Sequence, residues 1–64
     1  MEPEVRSEFL KIRRSSKKIR LSFASIQEIS KKQGLIGAAF AADMIIGLLE
    51  TLEQEIEDYV KDEK

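Results

Sequence analysis

The sequence predicts an all-α chain: an antiparallel two-helix hairpin of coiled-coil type, expected to dimerise into a four-helix bundle. Three observations predict it. Apolar or small residues recur at alternating spacings of four and three in Val5, Phe9, Ile12, Ser16, Ile19, Phe23, Ile26 and Ser30, the seam pattern of packed helices. A second stripe, Leu35, Ala38, Ala42, Ile45, Leu49, Leu52, Ile56 and Tyr59, has the same period in a different phase. The halves also differ in charge. Residues 1–32 hold nine basic and four acidic side chains, net +5, and residues 33–64 hold two basic and eight acidic, net −6.

Pro3 suits the first turn of a helix, where its missing N–H costs nothing, and Glu4 complements the positive helix end. Lys31 and Lys32 suit a last turn, with Gly34 as the left-handed terminator. Helix one is therefore expected over about 3–32, with a possible bend at Ser15-Ser16. A turn follows at about 33–35, then helix two over about 35–61, all within one domain spanning 1–64. A single continuous helix would put Gln33 and Gly37 on the apolar stripe, so the phase slip favours a break.

Folding back at Gly34 makes facing residue numbers sum to roughly 68. Phe23 then meets Ile45, Ile19 meets Leu49, Ile12 meets Ile56, Phe9 meets Tyr59, and Ile26 lies over Ala42. Arg6, Arg13 and Arg20 recur beside the seam, along the stretch holding Glu50, Glu53, Glu55 and Glu57. Exposed pairs of this kind contribute little, ~0–1 kcal/mol each. Their sign pattern still disfavours parallel pairing of like ends.

The chain has 64 residues, no cysteine and no histidine. Disulfides, thiolate chemistry and the usual transition-metal ligands are thereby removed. A core this small is marginal alone, so a second copy is the expected support. Met1 to Glu4 is acidic and lacks an apolar run, so no signal peptide is expected, and a cytoplasmic location is the default.

Leu35 to Leu49 carries only Asp43 as a charged residue. Ile36, Phe40, Met44 and Gly47 fall opposite the predicted seam. A helix apolar all round is buried all round, so a second covering surface is expected here. Gly37, Ala41 and Gly47 would admit another backbone closely. Ile36, Phe40, Met44, Gly47 and Asp43 are therefore the expected interface, for a second copy of the chain, for another protein's helix, or for each on separate faces. The segment would rise ~22 Å as a helix, short of a ~30 Å hydrocarbon core, and no membrane span is expected.

Asp43 could be a working carboxylate or a specificity contact. The plainer reading pairs it with a Lys or Arg of helix one or of a partner subunit. No second catalytic group stands beside it, and there is no phosphate loop or nucleophile–base pair. No catalytic residue, cofactor or metal site is expected, and the chain is read as a non-enzyme. Dispersed acids such as Glu53 and Glu57 are read as solvated.

The basic run Lys11, Arg13, Arg14, Lys17, Lys18 and Arg20, with Arg6, could instead contact phosphates or an acidic partner. Its interspersed Ile12 and Ile19 belong to the seam, and no free aromatics remain for base stacking. The run Ile29-Ser30-Lys31-Lys32-Gln33-Gly34-Leu35 resembles the centre of a helix-turn-helix, which would imply DNA binding. It departs from that pattern in the would-be recognition helix, where Ile36 to Ile46 offers only Asp43 for base readout. In size and topology the predicted hairpin resembles the Rop-like RNA-binding bundles. No motif is shared, so no RNA-binding residue is carried over.

The leading functional expectation is a self-associating protein-interaction module: a regulator, inhibitor, adaptor or assembly chaperone. A nucleic-acid-binding regulator using the basic face of helix one is the alternative. Mixed RNA and duplex DNA, titrated at low and moderate salt, separate the two.

Overall fold

The computed structural model describes residues 2–61. Met1, Asp62, Glu63 and Lys64, which enter the expected domain span and charge division, lie outside the described residues. Two helices pack against each other as a hairpin, α1 (Pro3–Lys32) and α2 (Ile36–Lys61). The Cα extents of 47 × 14 × 12 Å match one 30-residue helix length, about 45 Å, with the second helix laid alongside.

The helix ends follow from local chemistry. Pro3 opens α1, and the Glu2 carbonyl accepts the Arg6 N–H at 3.0 Å. At the other end Leu35 N–H donates to the Ser30 carbonyl at 2.8 Å and Gly34 N–H to the Lys31 carbonyl at 3.2 Å. This pair of bonds is a Schellman cap, which requires a left-handed residue after the helix. Gly34 supplies it with φ +73°. A Cβ at Gly34 would meet no neighbour, so Gly34→Ala is strained by its backbone alone, at about 1–2 kcal/mol. Gly47 also faces open space, but mid-helix, where Gly→Ala should stabilise by about 0.5–1 kcal/mol. Urea unfolding of both variants should move in opposite directions.

The hairpin core is narrow. Its buried apolar side chains are Ala39, Ala42, Ile56 and Val60, accompanied by Ser16 and Ser30. Four of these six are small, which lets the helix backbones approach. Phe9 stacks on Tyr59 with ring centroids 5.6 Å apart and planes 6° from parallel, as the folded-back register requires. Other cross-helix pairs join Ser16 to Glu53, Arg20 to Glu53, Arg13 to Glu57 and Gln27 to Asp43. Their residue numbers sum to between 69 and 73, a register slightly beyond the expected 68.

The expected seam is divided. Phe9, Ser16, Phe23 and Ser30 lie towards α2 with partial or full burial, whereas Val5, Ile12, Ile19 and Ile26 remain 44–47% exposed. On α2 the same split separates Ala42, Leu49 and Ile56 from Leu52 and Tyr59, which stay exposed. The hairpin instead completes its own seam with a polar row. Arg13, Arg20 and Gln27 of α1 are drawn in beside Ala39, Ile46, Glu53 and Val60 of α2. One half of the heptad stripe therefore flanks the helix–helix contact and is only partly covered by it.

Candidate interaction surfaces

Three surfaces run along the hairpin. The polar side is a trough lined by Arg13, Arg14, Lys17 and Arg20 of α1 and by Glu50, Glu53 and Glu57 of α2. Glu53 is its anchor. Arg20 grips it as a fork, Nε donating to Oε2 at 2.9 Å and Nη2 to Oε1 at 3.1 Å. Ser16 Oγ donates to Glu53 Oε2 at 3.1 Å. Arg13 pairs with Glu57 one turn further along.

The Arg20 hydrogen bonds hold the Glu53 carboxyl below the usual carboxylate range, against the opposing effect of burial, and Ser16 and Lys17 add to the lowering. A depressed folded-state pKa stabilises the fold above the unfolded value, and that stabilisation is lost as pH falls through the folded one. Glu53→Gln should therefore unfold at lower urea than the parent near neutral pH. The two midpoints should converge only as pH falls below the usual carboxylate value of about 4.5 and through the lowered one, because protonation removes from the parent what the substitution has already removed.

The opposite side is apolar. Val5, Ile12, Ile19 and Ile26 recur every seven residues on α1, and Ala38, Ile45, Leu52 and Tyr59 do so on α2. Ile12, Ile19, Leu49 and Leu52 line one groove between the helices, with Ser15 and Lys11 at its edge. A second hollow continues along Val5, Phe9 and Ile12. Sequence reasoning treated these rows as already covered by the hairpin. Ile29 entered only the helix-turn-helix-like run and Leu48 only the apolar segment, and both are well exposed beside this face. Neither belongs to an apolar row at seven-residue spacing, since Ser15 and Ser22 precede Ile29, and Ala41 and Glu55 flank Leu48.

The third surface lies at the turn. Ile36 is 81% exposed, Phe40 65% and Met44 56%. Ile36, Phe40 and Asp43 surround a shallow hollow with Gln27, Lys31 and Ala39. Met44 and Gly47 are also exposed, but do not line this hollow. Asp43 accepts a hydrogen bond from Gln27 Nε2 at 3.1 Å, where the sequence reading expected a Lys or Arg. Lys11 pairs with Glu8 at 3.1 Å within α1, while Arg6, Arg14 and Lys18 are exposed on that helix.

Among the described residues no three His, Cys, Asp or Glu side chains are gathered for a metal ion. No described helix is long and apolar enough to cross a membrane. No family model, curated protein or solved structure matches the chain.

Proposed function

We propose that this chain is a non-enzymatic interaction module that self-associates into a four-helix bundle and binds a partner protein by occupying its surface. The observation that carries the reading is the open apolar side of the hairpin. Among the described residues the core holds four buried apolar side chains, two of them alanine, which is thin support for a fold of this size. Large apolar side chains along the opposite rows remain half exposed, and contiguous patches of this kind mark association surfaces. A four-helix bundle directs two apolar rows of each helix towards its axis, which accounts for a stripe that the hairpin alone only half covers.

Partner binding is assigned to the turn-proximal cluster. Ile36, Phe40 and Met44 supply apolar contact, and Asp43 with Lys31 supplies polar edges. The exposed basic residues Arg6, Arg14 and Lys18 would steer acidic partners.

The nucleic-acid reading is the second. Its support is the row Arg13, Arg14, Lys17 and Arg20 along one trough, but Glu53 and Glu57 already engage Arg20 and Arg13. The side-by-side packing also differs from the ~90–120° crossing of a helix-turn-helix. Sedimentation over a concentration series, with titration of mixed RNA and duplex DNA, tests both. A dimer without binding at low salt is expected. A folded monomer would refute self-association, and salt-steep binding lost in Arg14→Glu/Lys18→Glu would favour the rival.

A further inference from the structure

We infer that a second copy of this chain covers the open apolar side with its turn at the same end, so that α1 of each copy lies against α2 of the other. This deepens the self-association reading and rests on it. The orientation comes from the two helix flanks bordering the open face.

On α1 the bordering row is Glu8, which Lys11 engages within the helix, then Ser15, Ser22 and Ile29; on α2 it is Ala41, Leu48 and Glu55. All are exposed in the hairpin. Within the hairpin, partners across the helices have numbers summing to between 68 and 73. Applied between copies, a sum near 70 sets Ile29 against the partner's Ala41, Ser22 against the partner's Leu48, and Ser15 against the partner's Glu55. Twice a large side chain meets a small one, the complementarity that fills an interhelical seam. The third pair repeats the chemistry of Ser16 and Glu53, a serine hydroxyl facing a glutamate.

Charge points the same way. Lys11 and Lys18 lie one row further out on α1, and Glu55 and Asp58 lie on the corresponding flank of α2. The same register brings Lys11 opposite the partner's Asp58, and Lys18, one turn on from Ser15, within reach of the partner's Glu55 as Arg20 reaches Glu53 within the hairpin. The other two-fold arrangement, α1 against α1 with turns at opposite ends, would bring the basic segments of both copies together, which repels. Size is adequate as well. A face 47 Å long and 14 Å across at the Cα level offers ~700 Å² before side chains are added, near the ~800 Å² per partner of a stable interface.

The chain contains no cysteine, so introduced thiols are unique. Ser22 and Leu48 are exposed in the hairpin, and their replacement leaves its own seam intact. The double variant S22C/L48C, oxidised or bridged with a short bifunctional maleimide, should run as a covalent dimer under denaturing conditions. S22C alone should remain a single chain, and mixing S22C with L48C should yield the linked heterodimer. Sedimentation of the reduced variants separates the failures. A monomer overturns both this arrangement and self-association. A dimer in which S22C alone links efficiently, or in which S22C/L48C links only within one chain, overturns the arrangement and leaves self-association standing.

Discussion

Ile19→Glu is expected to abolish self-association and, with it, most of the helical signal at low micromolar concentration. Ile19 sits in the middle of the open row and is 47% exposed in the hairpin. Fully burying such a side chain is worth ~1.5–3 kcal/mol; association covers only the half still exposed, and a two-fold assembly loses that twice, which weakens association roughly 10–10²-fold. A carboxylate set among apolar neighbours adds a desolvation penalty in the same direction. Phe40→Glu is the matched control. Phe40 lies at the turn, outside the open rows, so that variant should remain associated and lose only partner binding. Sequence reasoning alone would have placed self-association at Phe40. The self-association proposed here is assigned instead to the other face, which is longer and built by both helices.

The second large effect is expected from Ile56→Ala. Ile56 is 2% exposed and is the largest side chain sealed inside the hairpin. Truncating a buried isoleucine to alanine costs about 2–5 kcal/mol. A core of this size supplies little more than about 3–5 kcal/mol, so the variant should be largely unfolded by far-ultraviolet circular dichroism. Glu57→Gln removes a half-exposed pair with Arg13 and should shift the unfolding midpoint by less than ~1 kcal/mol. Equal losses from the two would mean that the electrostatic side, rather than the small apolar core, holds the helices together.

The hairpin was legible because its determinants are local. The heptad phase slips between Ser30 and Leu35, and Gly34 can take the positive φ that the cap demands. Antiparallel charge and the Phe9–Tyr59 pairing follow once that bend is granted. The division of the stripe was not legible, for a physical reason. Period reveals which residues share a face, but not which of two adjacent apolar rows turns towards a given neighbour. The structure settles it through residues that hydropathy leaves outside the core. Arg13, Arg20 and Gln27 fit into the seam because Glu57, Glu53 and Asp43 meet them there. Glu53 looked like one solvated acid among many; Ser16 and Arg20, contributed by the other helix, hold it part-buried along the trough. At the turn, Ile36 and Phe40 were expected to face outwards, and both are exposed.

Under the proposed self-association, folding and association are one event, because the open apolar side is too large for a lone hairpin to tolerate. Urea unfolding measured at a series of protein concentrations tests this most directly, since binding to the native state alone shifts apparent stability by mass action. The midpoint should rise steadily with concentration, while Ile19→Glu should stay largely without helical signal over the low micromolar part of the series. A midpoint that stays constant over about a hundredfold range in concentration, for a protein that is fully helical throughout, would contradict the account.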